Sequence, residues 1–349
     1  MLIKRSSHYP SLIDAEKVAD QVINGEHKTS ERTKEFEDKI CQYIGGVYAK
    51  ATNSGTNALH LALLSLNVKE NHEVIIPTFV CQALMNAVNY TRAKPVFADI
   101  GDNFNISAET IRKKINRKTK AIVVPHMFGV PAELDEIKEL GIPIIEDCAH
   151  SLGGNYKGKK LGSIGDISIF SFYATKMIST GQGGMVLTSN KKLADKVKDL
   201  TTYDGRKKYK VAYNYDMSDI NASIGISQLD QLNDFLNRRR EIEKRYNEEF
   251  INTNLILPKV VEGSVPYRYV IRTEDEKGRK KLESLLKKKE IFAEKPVFKL
   301  LHDYMKEDLS YPNAEKAYST ALTIPLYPYL TEENISYVVY NLLRAVKKI

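Results

Sequence analysis

Between residues 50 and 190 the chain alternates short β-branched runs with helix-length segments, and no other feature of the sequence restricts the fold so far. Glu73-Val74-Ile75-Ile76-Pro77 reads as a short buried strand, followed by a helical stretch from Cys81 to Tyr90. Lys94 to Asp99 is a second strand, with a polar helix after it around Ala108 to Ile115. Ala121 to Pro125, Ile142 to Asp147 and Ile167 to Phe172 continue the series. Short β-branched runs separated by helical segments imply a parallel or mostly parallel sheet with helices on both faces, a three-layer α/β/α arrangement. In such sheets ligands collect outside the carboxyl ends of the strands, so the residues just past each strand are the candidates for chemistry.

At 349 residues the chain is too long for one small core and suits a large domain followed by a smaller one. Ser218 to Phe250 is a long helical pattern, interrupted around Leu232 to Asp234. After Asn252 the character changes: short strands near Leu255 to Leu257 and Tyr267 to Ile271, helices near Gly278 to Lys289 and Thr331 to Lys348. The expectation is a large α/β domain over residues 1–250 and a small α+β domain over 251–349.

Composition removes several classes of function. With 42% hydrophobic and 28% charged residues the chain is an ordinary globular protein. Its longest apolar runs are strand-sized, far from the roughly 20 residues that span a bilayer. The first ten residues contain no apolar h-region, so no secretory signal is expected. Cys41, Cys81 and Cys148 cannot all pair with one another and form no CxxC, which suits a reducing cytoplasm. The net charge of +8 invites a nucleic-acid reading, but the lysines are spread along the whole chain. The densest run, Arg238 to Arg240, lies in a helical pattern rich in acidic partners, so a solvated surface or an anionic small substrate accounts for the charge. The seven histidines are scattered, none pairing with a cysteine or second histidine at ligand spacing, and no metal site is expected.

Three segments carry candidate chemistry. In Thr52 to Ala62 a small, hydroxyl-bearing turn (Ser54-Gly55-Thr56) leads straight into a helix. A helix N-terminus binds phosphate well, although Ser54 or Thr56 would serve equally as an ordinary cap. Ile144-Ile145-Glu146-Asp147 ends a buried strand in two carboxylates, costly there unless paired. His150 follows three residues on and either meets a ligand or sits satisfied near the surface. Finally Phe170 to Lys176 places a lysine just past an apolar strand, followed by the glycine-rich Thr180 to Val186. Such a lysine is either simply solvated or a Schiff-base lysine.

The order of these segments resembles the DegT-type sugar aminotransferases, within the fold-type-I pyridoxal-phosphate (PLP) enzymes. The likeness runs from the Ser30-to-Glu37 region to near the C-terminus. Ser54-Gly55-Thr56, Pro77-Thr78-Phe79, Lys94 to Asp99 and His126-Met127-Phe128-Gly129 fall in family order. Glu146 to Ser151, Gly165-Asp166, Ser171-Phe172 to Lys176, Gly183-Gly184 and Asn214 to Asp219 continue it. The resemblance implies that Lys176 carries PLP as a Schiff base and that Asp147 partners the pyridine nitrogen. It matches Phe79 to the aromatic region that stacks on the ring and His150 to a position near the ring oxygen. Gly55, Thr56 and Ser171 match phosphate ligands. Asn214 matches a residue reaching the phosphate of a neighbouring subunit, so a homodimer with shared sites is implied. One departure stands out: Asp216 occupies a position where many relatives carry arginine. A family branch with histidine in place of the lysine dehydrates sugars instead, and Lys176 argues against it.

What the resemblance implies is ping-pong transfer of an amino group from an amino acid, glutamate above all, to a nucleotide-linked keto-sugar. A cyclitol or a small phosphorylated ketone is the alternative acceptor. A dinucleotide-dependent dehydrogenase shares the alternating pattern, but no G-x-G-x-x-G follows the first strand. A non-catalytic homologue on the same fold has no need to keep Lys176 with Asp147.

Overall fold

The computed structural model describes residues 2–6, 11–25, 30–305 and 309–349. Its central sheet is built from β1 (Tyr48–Thr52), β2 (Glu73–Pro77), β3 (Lys94–Ala98), β4 (Thr119–Pro125) and β5 (Ile144–Asp147). After a small hairpin, β6 (Asn155–Tyr156) and β7 (Lys159–Lys160), the sheet is completed by β8 (Ile167–Ser171) and β9 (Gly184–Thr188). The strand order is β1-β9-β8-β5-β4-β2-β3. From β8 to β3 every neighbour is parallel, whereas β9 runs antiparallel to both β8 and β1. The chain is thus an α/β protein with a mostly parallel sheet.

Helices α1 (Leu12–Asn24) and α2 (Glu31–Ile44) precede the sheet. The connections contain α3 (Gly55–Ser65), α4 (Gln82–Tyr90), α5 (Ala108–Arg112) and α6 (Leu134–Lys138), and α7 (Lys191–Thr201) follows β9. Both sheet faces are apolar because successive strand residues point to opposite sides. Val74, Ile76, Val123, Ile145, Ile167 and Ile169 join one buried cluster with residues of α3, α4 and α7. Ile75, Ile122, Val124, Ile144 and Phe170 join another with residues of α2, α5 and α6.

The long helical pattern divides at Gln231 into α8 (Asp219–Asp230) and α9 (Leu232–Phe250). Beyond it lie β10 (Tyr269–Arg272), α10 (Glu276–Lys287), α11 (His302–Met305), α12 (Pro312–Thr320), β11 (Ala321–Ile324) and α13 (Glu332–Val346). A third cluster draws on β10, α10, β11 and α13 together with Ile3 and with Ile242, Tyr246 and Phe250 of α9, whereas Ala314 and Ala317 of α12 join the first cluster. One sequence expectation changes. Leu255 to Leu257 forms no strand but a single bridge, Ile256 to Arg272. The glycine-rich stretch after Lys176 turns at Gly181 (φ +78°) but continues directly into the buried strand β9.

Two devices bring residues 265–267 to the carboxyl ends of the sheet strands. Gly129 (φ +89°) lies so close to this segment that a Cβ there would sit 1.8 Å from the Val265 carbonyl oxygen. The Val265 and Tyr267 N–H groups donate to the Gly129 and Phe128 carbonyls at 3.0 and 3.2 Å. From α9, the buried guanidinium of Arg239 donates to the carbonyls of Pro266, Tyr267 and Leu326 at 3.2 to 3.4 Å. Burial holds that guanidinium down to about 10.

Candidate active site

The registers of β4, β5 and β8 set Pro125, Asp147 and Ile169 side by side, so the groups that follow these strands open on one edge. Asp147 ends β5 and is 5% exposed. Its Oδ1 accepts the Ala149 N–H at 3.0 Å. Burial raises its carboxyl above the usual range, while that hydrogen bond and the charge of Lys176 pull it back. A buried carboxylate with one backbone donor is a ready partner for a cation.

Lys176 lies in the turn after β8, its backbone N–H donating to the Tyr173 carbonyl at 2.9 Å. Its half-buried side chain makes no hydrogen bond among the described residues, and Nζ sits 5.5 Å from the centre of the Tyr267 ring. His150 stacks on the same ring at 4.2 Å with the planes 17° apart. Burial, then the charges of Lys176 and Arg268, hold His150 well below its ordinary value, so it is neutral at neutral pH. Tyr267 is where these groups meet. Burial pushes its phenol up, but Lys176, Arg268 and a 3.4 Å contact with Thr175 more than offset this and bring it down to about 7. Neither Tyr267 nor Arg268 was marked out by the sequence, because both belong to a segment about ninety residues away whose local pattern is that of an ordinary strand.

Gly55, Thr56 and Ser171 come together as a cradle. Ser54 caps α3, its hydroxyl accepting the Asn57 N–H at 3.2 Å. The first-turn N–H groups of Gly55 and Thr56 precede the intrahelical ladder and are free to meet an anion. A Cβ on Gly55 would lie 2.8 Å from the Ser171 Cβ, and one on Gly184 would lie 2.5 Å from the Ser54 carbonyl. A phosphate at this helix N-terminus, an aldehyde-bearing ring towards Lys176 and a protonated ring nitrogen at Asp147 match the donors and acceptors of PLP. These residues fit that cofactor.

Phe79, in the turn after β2, is enclosed in this structure, its ring stacked on Phe104 at 5.6 Å. Cys81, at the N-cap of α4, is the exposed residue of this turn. Crowding by the protein raises its thiol despite the accessible surface, while Lys176 lowers it and Asp147 raises it. Once β2 has ended, strand alternation no longer says which residue points outward, and the turn selects Cys81.

Asn214 is exposed and makes no hydrogen bond among the described residues. The tyrosines on either side are clamped to α3: Tyr213 and Tyr215 pack on His60, and the Tyr215 carbonyl accepts the Asn53 N–H at 2.8 Å. Asp216, the departure noted in the sequence, pairs with Lys50 of β1 at 2.7 Å and so ties this loop to the sheet edge.

One cluster escaped the spacing argument. Potential ligand atoms of His126, Glu146 and Cys148, all buried, lie within 4.8 Å of one another. The donors are already committed. His126 Nδ1 accepts the Ala132 N–H at 3.1 Å, leaving Nε2–H to face Glu146 at 3.3 Å. Glu146 further accepts the N–H groups of Gly162, Ile164 and Gly165 at 2.5 to 2.8 Å. This network anchors the strand end that carries Asp147.

Comparison with known proteins agrees with this geometry. The profile of the DegT/DnrJ/EryC1/StrS aminotransferase family matches residues 13–343. The chain is 36% identical to GDP-perosamine synthase of Escherichia coli O157:H7, over 87% of each chain. It is 31% identical to the spore coat polysaccharide biosynthesis protein SpsC of Bacillus subtilis, over 96% of this chain and 94% of that one. Spr1654 from Streptococcus pneumoniae, solved in PMP and PLP forms, superimposes with a TM-score of 0.93 at 27% identity, over 100% of this chain and 98% of its own. The chain belongs to the DegT/DnrJ/EryC1/StrS aminotransferase family, whose enzymes are PLP-dependent and make amino sugars.

Proposed function

We propose that the protein transfers an amino group from L-glutamate to the ketone of a nucleotide-linked sugar, with Lys176 as the residue that carries the cofactor. The observation behind this reading is the meeting of Lys176, Asp147 and the Gly55–Ser171 cradle at the carboxyl ends of β8, β5 and β1. Its relatives include GDP-perosamine synthase and UDP-4-amino-4,6-dideoxy-N-acetyl-beta-L-altrosamine transaminase, which supports a nucleotide-linked acceptor. Bound there, PLP supplies an electron sink for the charge that develops at the reacting carbon.

In this reading Lys176 Nζ takes the proton from the donor α-carbon and returns it elsewhere, acting as base and then acid. Asp147 keeps the pyridine nitrogen protonated, and its raised carboxyl is stabilised as the anion by that contact. Gly55, Thr56 and Ser171 hold the phosphate, neutral His150 lies by the ring oxygen, and the turn from Phe79 to Cys81 borders the ring. Asn214 reaches the site of a second copy, for which its exposed position on a clamped loop is suited. The large and small domains divide near residue 250, and the third cluster supports the second unit. Three free cysteines support a reducing cytoplasm. Among the described residues no helix is long and apolar enough to cross a membrane.

The test is direct. The protein is loaded with PLP, reduced with borohydride and digested, and the modified lysine is identified by mass spectrometry. A panel of nucleotide keto-sugars, a cyclitol ketone and a phosphorylated ketone is then offered with glutamate, with 2-oxoglutarate as the readout. Modification of Lys176 and turnover with a nucleotide keto-sugar are expected. Attachment to another lysine overturns the site, and turnover confined to the smaller ketones overturns the acceptor.

A further inference from the structure

We propose that Arg268 is the anion-recognising residue of this site, taking a carboxylate of the amino donor or a phosphate of the sugar nucleotide. The inference rests on Lys176 being the cofactor lysine.

Position comes first. The Arg268 guanidinium carbon lies 5.3 Å from the centre of the Tyr267 ring, and Lys176 Nζ lies 5.5 Å from that same centre. Both charges also act on His150, so Arg268 borders the surroundings of Lys176. The side chain is half-buried, and among the described residues its hydrogen bonds are a long one to the Pro296 carbonyl (3.4 Å) and one to the Tyr267 hydroxyl.

Charge comes second. Among the described residues no carboxylate pairs with Arg268. Glu294 is taken by Arg5 at 3.0 Å, and Arg5 itself is held below its ordinary value by burial and by the charge of Arg268. The neighbouring cavity adds Lys259 and Arg272 to Arg268, against Asp102 and Glu243. Burial pushes Glu243 up to about 7, with Arg240 as the cation that lowers it, so it does not neutralise Arg268. No described carboxylate neutralises this guanidinium, and its acidic neighbour is the Tyr267 phenol, so donors are left for an external anion. Its fork of N–H donors matches carboxylate and phosphate in a way an ammonium does not. Phe104 and Phe128, which line this cavity, continue the aromatic wall through His150 to Tyr267.

The two anion sources separate experimentally. Glutarate, an unreactive dicarboxylate, and UDP are titrated calorimetrically into the apoprotein, its Arg268→Met variant and its Arg268→Lys variant. Arg268→Met is expected to weaken one probe by roughly 10- to 100-fold, the scale of a lost charged hydrogen-bonded pair. The other probe should bind as before, and Arg268→Lys should restore only part of the loss. Loss of glutarate identifies the donor carboxylate, and loss of UDP identifies the phosphate. In single-turnover half-reactions the same half should lose apparent affinity. Unchanged binding of both probes in Arg268→Met overturns the proposal, as does failure of the unaltered apoprotein to bind either. Equal weakening of both probes together with lost PLP capture also overturns it, since Arg268 would then be structural. Wild-type protein that takes no PLP at Lys176 defeats the functional reading instead, whatever the probes do.

Discussion

Replacing Glu146 by glutamine tests whether the network beside Asp147 holds this part of the fold together. Glu146 is fully buried. Its Oε1 accepts the N–H groups of Ile164 and Gly165, and its Oε2 accepts those of Gly162 and His126. Whichever way an amide is turned, its NH2 group meets two donors. His126 cannot relieve the conflict by moving its proton to Nδ1, because Nδ1 already accepts from Ala132. Two hydrogen bonds to a charged acceptor are lost, each worth about 1.5–3 kcal/mol, and the surviving pair becomes neutral. We expect Glu146→Gln to cost about 4 kcal/mol, in line with breaking a buried charged contact. At roughly 1.4 °C per kcal/mol for a chain of this size, Tm falls by about 5–6 °C.

The assay is scanning calorimetry of both apoproteins, so that bound cofactor does not mask the difference. Burial pushes the Glu146 carboxyl up, but the His126 and glycine hydrogen bonds prevail and hold it below its ordinary value. A folded value below the unfolded one means the stabilisation is complete above the unfolded carboxylate range. It is lost as pH falls through the folded value. The gap between the two proteins should therefore be constant near neutrality and close in acid. A loss below about 1 kcal/mol at neutral pH would refute the reasoning, because four donors would then have tolerated an amide.

Asp147→Asn should keep the fold and lower kcat on the order of 100-fold or more, since an amide cannot hold a protonated pyridine nitrogen; near-normal turnover would assign that task elsewhere. Gly55→Ala should weaken PLP binding by roughly tenfold, because the new Cβ meets Ser171 at 2.8 Å; an unchanged equilibrium titration would remove the cradle from the phosphate site. In the apoprotein, ultraviolet titration should show one of the 20 tyrosines ionising near pH 7, and Tyr267→Phe should abolish that step. With the folded value below the unfolded 10.0, the stability lost by Tyr267→Phe should grow as pH rises from about 7 towards 10; a flat difference would contradict the assignment. Inactive Lys176→Ala chains mixed with impaired Asn214→Ala chains should regain partial activity once subunit exchange is demonstrated; no recovery would mean that Asn214 does not act across an interface.

The layered architecture was legible because its signal is local. A strand buried on both faces must be apolar at successive positions, and Val74 to Ile76 or Ile122 to Val124 state this within three residues. The ends of those runs also marked Asp147 and Lys176, since a charge abutting an apolar run stands out without knowledge of any partner. Local pattern went no further than that. It could not separate Phe79 from Cys81, because the backbone turn after β2 decides which side chain is sealed and which is exposed. Nor could it show that His126, Glu146 and Cys148 converge, since their meeting depends on β4 and β5 pairing in one particular register. The largest omission was Tyr267 with Arg268. That segment reads as an ordinary strand edge, and it reaches Lys176 only because Gly129 admits the Val265 backbone and Arg239 ties down the Pro266 and Tyr267 carbonyls. Sequence periodicity records which face of an element is buried. Which distant groups share that burial, and so shift one another's charge, is settled only when the elements pack.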